Sequence, residues 1–424
     1  MDSPKAGGGE LIGFTLQVPR GRWFMMFASF VVMAGAGATY LFGTYSKAIK
    51  QTLGYTQTTL NLLGFFKDLG TSVGVFSGLI AEVTPTWFVL LAGAATNFVG
   101  YFMVWLGVTG KIAKPKVWQM CLYICIGANS QNFANTGVLV TCLRNFPEGR
   151  GIMLGLLKGF TGLTGAFMTQ IYLAIYGNDS KSLILLIAWF PPVISILFVY
   201  TIRAIKVVRQ ENEVMVFHKF LYVALSMASL SMSIIILQKQ FIFTHVEYVA
   251  SVFVLCCLLS ILLLIGIKEE HLLWIRKKQA AKPPIEITVE KAPLEKPKSL
   301  PLLRAVDNIG QIGESLGYPT LTISAFVSLV SFWNFCGRVF AEILLEKISF
   351  PRPLIIAAVL LLTCAGHLLI AFPKPGSLYV ASIIVGFCLG AQLTLLYTII
   401  SELFGLKHFA TLFNCGQMAS PLGS

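Results

Sequence analysis

YVASVFVLCCLLSILLLIGI, residues 248–267, decides the architecture. It contains no Asp, Glu, Lys, Arg or His. A membrane span needs roughly 20 apolar residues, because the hydrocarbon core is about 30 Å thick. Working outward, ten further stretches of that kind lie at about 23–45, 58–80, 87–108, 117–140, 152–176, 183–204, 218–238, 320–342, 353–372 and 378–400. A twelfth begins near Phe409 and is cut off at Ser424. Many spans in one chain predict an all-α, polytopic helical membrane protein: a transporter, channel or receptor.

Composition agrees. Hydrophobic residues make up 56% and charged residues 12%, about half the charged share usual in soluble domains. Strands of a membrane barrel would alternate apolar and polar residues over about ten positions, whereas these segments are apolar all round. The first 21 residues are polar and Gly-rich, so the first span is expected to stay as an anchor and not to be a cleaved signal.

The net charge of +13 does not point to nucleic acid, because of where the charge sits. Arg20, Arg22, Arg144, Arg150, Arg203, Lys206, Arg209, Lys268, Arg276, Lys277 and Lys278 flank the spans. That is topogenic charge facing the cytoplasm, with a lipid bilayer as partner. The nine cysteines fall in spans or at their edges with no metal spacing, and read as small apolar packers. No phosphate loop, metal box or nucleophile–His–acid set appears. The expectation is a non-enzyme without a cofactor.

Lys268–Arg304 holds nine Lys/Arg against five Glu. With neighbouring prolines, 268–319 reads as a charged cytoplasmic linker. This creates a conflict. A span at 320–342 leaving directly from the cytoplasm would carry Arg338, Lys347 and Arg352 to the far side. Either one crossing is missing, since 300–318 is too polar to supply it, or the positive-inside rule fails in the second half. An incomplete product is expected, with a re-entrant 300–318 as the other reading.

Two spans carry a lysine near mid-depth on a glycine face. Lys67 lies with Gly70 and Gly74, and Lys158 with Gly151, Gly155, Gly162 and Gly165. Small residues every four positions let helices approach closely in lipid. A lysine on that face points into the bundle. At mid-span it costs about 2.5–3.5 kcal/mol on insertion scales. Such residues line pathways or pair internally. Asp68 is not expected to pair with Lys67, because the two project about 100° apart on one helix. Asn129, Gln131, Asn132 and Asn135 form a polar cluster in the fourth span, lining a cavity or bonding neighbouring helices. Asn334 and Gln392 are lone polar groups, and a lone His367 is read as a structural donor.

Two span ends look alike. Gly74-Val-Phe-Ser-Gly-Leu-Ile-Ala-Glu82 matches Gly337-Arg-Val-Phe-Ala-Glu-Ile-Leu-Leu-Glu346-Lys347. These residues resemble the loop signature of the major facilitator superfamily. The resemblance implies that Glu82 and Glu346, with Lys347 as basic partner, meet a neighbouring helix N-terminus and hold the cytoplasmic gate. Arg150 and Arg338 would be further gate and loop residues, Arg338 at a span end. Val83 and Glu342 depart from the signature. Longer stretches are similar to the plant nodulin-like branch, whose members are often labelled nuclear-fusion-defective-like. They are Arg22-Trp-Phe-Met-Met-Phe, Gly54-Tyr-Thr-Gln-Thr-Thr-Leu-Asn, Arg144-Asn-Phe-Pro-Glu-Gly-Arg-Gly-Ile-Met-Leu-Gly-Leu-Leu-Lys-Gly-Phe, Asp307-Asn-Ile-Gly-Gln-Ile-Gly-Glu-Ser-Leu-Gly-Tyr-Pro and Phe350-Pro-Arg-Pro-Leu. That branch is akin to oxalate/formate-type antiporters. It implies 14 helices, arranged as six, two inserted and six, with one before Asp307 absent here.

The expected organisation is a cytoplasmic tail (1–21), a first six-helix bundle (22–206), two inserted helices (207–267), the linker (268–319) and an incomplete second bundle (320–424). The expected function is movement of a small solute, with an anion as the candidate class, by alternating access in the plasma membrane or an endomembrane. Lys158, Lys67, Asn132 and Asn135 are the expected substrate residues. The alternative is a non-transporting membrane protein, either a nuclear-fusion-related factor or an inactive splice product.

Overall fold

The computed structural model describes residues 15–279, 320–347, 352–405 and 408–422, apart from residues 16, 178, 206–209, 211, 242, 373 and 375. Among these, all regular structure is helical. Span one is α1 (Arg22–Ala36), a 3-10 turn (Ala38–Leu41) and α2 (Phe42–Leu53). Span two is α3 (Gln57–Ser72) and α4 (Val75–Val83). There follow α5 (Thr86–Val108), α6 (Val117–Asn145), α7 (Arg150–Tyr176) and α8 (Ser180–Leu197). The inserted pair is α9 (Glu213–Gln240) and α10 (His245–Gln279). The second bundle contributes α11 (Thr320–Lys347), α12 (Arg352–Ala371), α13 (Ser377–Leu403) and α14 (Phe409–Leu422). Eight helical stretches among the described residues are long and apolar enough to cross a membrane. The other expected spans are helical too, in α3–α4, α6 and α11.

Three of these helices are broken, and each break is repaired by a side chain from a neighbour. Lipid supplies no hydrogen bonds, so freed backbone groups must be met by protein. Pro191 and Pro192 lie inside α8. Lacking N–H groups, they strip the carbonyls four residues earlier of their partners. Asn97 on α5 supplies the donor, to Ile187 O at 2.8 Å and Ala188 O at 3.5 Å. Ser130 on α6 in turn donates to Asn97 Oδ1 at 3.0 Å. Between α3 and α4, Asn129 Nδ2 donates to Gly70 O and Val73 O at 2.9 and 2.6 Å. At the bend of span one, Gly37 N–H donates to Thr164 Oγ1 of α7 at 3.2 Å, and Thr39 Oγ1 donates to Gln131 Oε1 of α6 at 2.5 Å.

The two halves repeat one packing pattern. α3 and α5 both lie against α6, as α11 and α12 lie against α13. The halves then cross: α7 packs on α11, and α4 packs on α14. Element by element, the second and fifth members of one half meet the fifth and second of the other.

Helix directions resolve the charge conflict. Gly159 and Gly162 of α7 lie against Phe335 and Asn334 of α11, so the two helices run antiparallel. The Lys347 end of α11 therefore shares the face of Arg144, Arg150 and Arg203, and the positive-inside pattern holds in both halves. The expectation that 320–342 leaves directly from a cytoplasmic linker is overturned, because Gln279 and Thr320 stand at opposite faces. The expected linker also begins later, since α10 stays helical to Gln279 and its carboxylates at 269 and 270 pack on the bundle. Residues 280–319, including the 300–318 stretch, lie outside the described residues.

Two outcomes follow. Asn97→Leu leaves the Ile187 and Ala188 carbonyls without their donor, so it should cost about 1–3 kcal/mol, read as a lowered melting temperature in detergent. A single cysteine at exposed Leu354, at the start of α12, should react with an impermeant maleimide from the same side as one at exposed Arg144. Labelling from the opposite side would refute the assigned topology.

Candidate functional site

Lys158 and Arg338 meet at the seam between the bundles. The glycine face of α7 makes this possible, because a Cβ on Gly159 would overlap the Phe335 ring. Both cations are buried, at 3% and 1% exposure. Each is held by neutral groups of the other bundle. Arg338 Nη1 donates to Lys158 O, and Nη2 donates to Tyr40 Oη at 3.3 Å. Within its own helix, Nε donates to Asn334 Oδ1 at 2.6 Å. Lys158 Nζ lies 4.4 Å from the ring centre of Tyr397 (α13) and 5.4 Å from that of Phe413 (α14).

Among the described residues no carboxylate pairs with either cation. An uncompensated buried charge costs several kcal/mol, and cation–π contact returns only about 0.5–2 kcal/mol. Two basic side chains, one from each bundle, thus share the seam with neutral partners. The reading of Arg338 as a span-end gate residue is thereby corrected. α11 continues for nine residues past it, and its guanidinium belongs to the seam.

The other expected site residues separate. Lys67 Nζ pairs with Asp68 Oδ1 at 2.9 Å, against the expectation. The four-carbon lysine stem spans the 100° between neighbouring positions, which the backbone directions alone do not show. The pair leaves Lys67 without net charge to attract an anion. Asn132 Nδ2 donates to Gly70 O at 3.1 Å, sharing the repair of the α3–α4 break with Asn129. Asn135 is buried, and its Oδ1 has no hydrogen-bond partner among the described residues. Arg150 opens α7 near the Glu213 carboxylate of α9. His367 Nδ1 lies 3.1 Å from Thr363 O, a local helix contact.

At the Arg150 end of α7 the bundles touch along α4 and α14. Gly74 lies against Asn414, and Gly78 against the Ala410 carbonyl. Asn414 Nδ2 donates to Thr136 Oγ1 of α6 at 3.0 Å. Glu82 accepts from Thr411 Oγ1 at 2.5 Å and lies 3.5 Å from His408 Nδ1. An acidic residue thus sits on the N-terminal turn of a helix from the opposite bundle. The side chains of Glu346 and Lys347 lie outside the described residues. Tyr40, Tyr397, Phe413 and Asn414 were not foreseen. Each is an ordinary polar or aromatic residue in its own helix, and its position comes from packing between bundles.

The Nodulin-like family profile matches residues 22–267, more than half of the chain. The chain belongs to the Nodulin-like family. Residues 301–424 match the NFD4 C-terminal domain profile. One curated relative is Protein NUCLEAR FUSION DEFECTIVE 4 of Arabidopsis thaliana, 32% identical over 182 residues. The match spans 43% of this chain and 31% of that protein, so it reaches under a third of the relative's length. Among solved structures, the major facilitator proton:xylose symporter XylE aligns at a TM-score of 0.54 and 13% identity, over 93% of this chain and 86% of that one. Its inward-open form from E. coli aligns at 0.51 and 11%, over 94% and 87%. The fold of this nodulin-like protein is that of major facilitator membrane transporters, multi-pass and embedded in a lipid bilayer.

The α4–α14 contact gives one expected outcome. In Gly78→Leu the added side chain meets the Ala410 carbonyl, and overpacking of this kind costs about 1–3 kcal/mol. Maleimide labelling of Thr411→Cys should then speed up roughly tenfold, since about 1.4 kcal/mol is tenfold in population. An unchanged rate would show that this contact does not close the cytoplasmic side.

Proposed function

We propose that this nodulin-like protein moves a small anionic solute across its membrane by alternating access. One observation carries the reading: Lys158 and Arg338, one from each bundle, are buried together with no carboxylate partner among the described residues. A carboxylate entering the seam would take charge-assisted bonds from both, stronger than the neutral ones they now make. It would displace the Tyr40 hydroxyl from Nη2 and meet the lysine beside Tyr397. An uncharged sugar, as in the name of the structural neighbour, would leave both charges uncompensated. The contacts of Gly74, Gly78 and Glu82 with α14 serve as the cytoplasmic gate, shut in this arrangement. Alternation opens them as the bundles rock about the seam.

The test uses protein in liposomes with radiolabelled oxalate, formate and inorganic phosphate as probes. Lys158→Met and Arg338→Met should each lower flux of the accepted probe at least about tenfold, the effect of losing one charge-assisted contact. Lys158→Met should also keep or raise the melting temperature, because it removes a buried charge that nothing neutralises. A lowered melting temperature with intact flux would make Lys158 a structural residue. No flux of any probe would favour the non-transporting alternative, in which the nuclear-fusion role named for the Arabidopsis relative needs no solute.

A further inference from the structure

The inserted helices α9 and α10 have no counterpart in the two-bundle repeat, and transport through the seam gives them no task. Each sends a buried carboxylate to the start of a first-bundle helix. Glu213 on α9 accepts from Gly149 N–H at 3.0 Å, at the head of α7. Glu270 on α10 accepts from Trp23 N–H at 2.8 Å, at the head of α1. Helix N-termini carry free N–H groups and the positive end of the dipole, so a carboxylate there is doubly favoured. Both heads open on glycine. A Cβ on Gly21 would collide with the Glu270 carboxyl, and one on Gly149 with the Phe217 ring of α9.

Further bonds tie the junction. Arg22 Nη1 pairs with Glu213 Oε2 at 3.2 Å, and Nη2 donates to Gln210 Oε1 at 2.5 Å. Lys219 pairs with Glu269 at 2.8 Å, fastening α9 to α10. Beneath these bonds Trp23 packs against Phe146, Phe217 and Phe220, with ring centres 5.0, 5.5 and 5.9 Å away. At the opposite face Gln170 of α7 and Gln238 of α9 exchange two amide bonds, at 3.2 and 2.7 Å. The His245 ring at the head of α10 lies 2.9 Å from Ala174 O of α7. The helix that carries Lys158 is therefore held by the inserted pair near both ends. α9 also lies against α11 of the second bundle.

We propose that α9 and α10 are a splint. They are a permanent part of the first bundle and hold α7, and so Lys158, in register while α11 moves past. Glu213 and Glu270 are the positioning residues. The motion in this proposal rests on the function proposed above, but the clamp does not.

Spin labels at exposed Arg144 (α6), Arg276 (α10) and Leu354 (α12) test it, two at a time, in a cysteine-free chain in nanodiscs with and without oxalate. The Arg144–Arg276 distance should be one narrow peak that oxalate leaves unchanged. Distances from Leu354 to both should shift together. Movement of Arg276 with Leu354 and away from Arg144 would overturn the splint. In the absence of any movement, the clamp is read from the cap variants. Glu213→Ala with Glu270→Ala should broaden the Arg144–Arg276 peak roughly twofold, as expected when a locally held element is freed. Glu213→Gln with Glu270→Gln, which keeps an acceptor at each cap, should restore most of the narrow width. An alanine pair as narrow as the parent would end the proposal, even in a protein that carries nothing. Three fixed distances together with a broadened alanine pair would instead count against alternating access and leave the splint standing.

Discussion

Lipid offers no hydrogen bond and no counter-charge, and the rest of this structure follows from that constraint. A backbone group freed inside the membrane must find a protein partner, and so must a charge. Most of the polar residues in the spans answer this demand. Asn97 serves the carbonyls stripped by Pro191 and Pro192. Asn129 and Asn132 serve the break between α3 and α4. Asp68 neutralises Lys67. Once these are accounted for, Lys158 and Arg338 stand out as charges held only by neutral groups. The candidate site is thus found by elimination as much as by geometry.

Glycine sets how close the bundles come. On α7 the small face admits Phe335 and Asn334, which brings Arg338 onto the Lys158 carbonyl. At the start of α4 it admits Ala410 and Asn414, which brings α14 against the first bundle. In membranes association gains little from hydrophobic burial, since lipid tails are as apolar as leucine, so close van der Waals contact decides where helices meet. The same two helices that set the approach of the bundles therefore carry Lys158 and Glu82.

Much of the fold was legible from periodicity and length. The spans, the helical class, the glycine faces and the mid-span position of Lys158 all follow from local composition. Glu82 was singled out through its resemblance to a gate signature, and the structure sets its carboxylate against Thr411 of α14. Arg338 was misplaced, because charge near the end of an apolar stretch looks like a span boundary. α11 runs on as helix through a polar turn, and only its neighbours show that Arg338 is inside. Lys67 was misjudged because helical-wheel angles describe Cβ directions and not the reach of a long side chain. The two headings Gly21-Arg22 and Gly149-Arg150 were visible, but nothing local indicated that carboxylates more than sixty residues later would cap them.

By itself the sequence determined that the chain is a bundle of membrane helices, because bilayer thickness imposes a length and an apolarity that each span must meet alone. It also determined which polar residues are costly enough to need a reason. Only the tertiary structure decided which of them are repairs and which are held by neutral groups of the opposite bundle. Partners in a membrane bundle come from helices far away in the chain, and only packing between bundles showed the direction of α11 against α7, which the flanking charges and the linker reading had left in conflict.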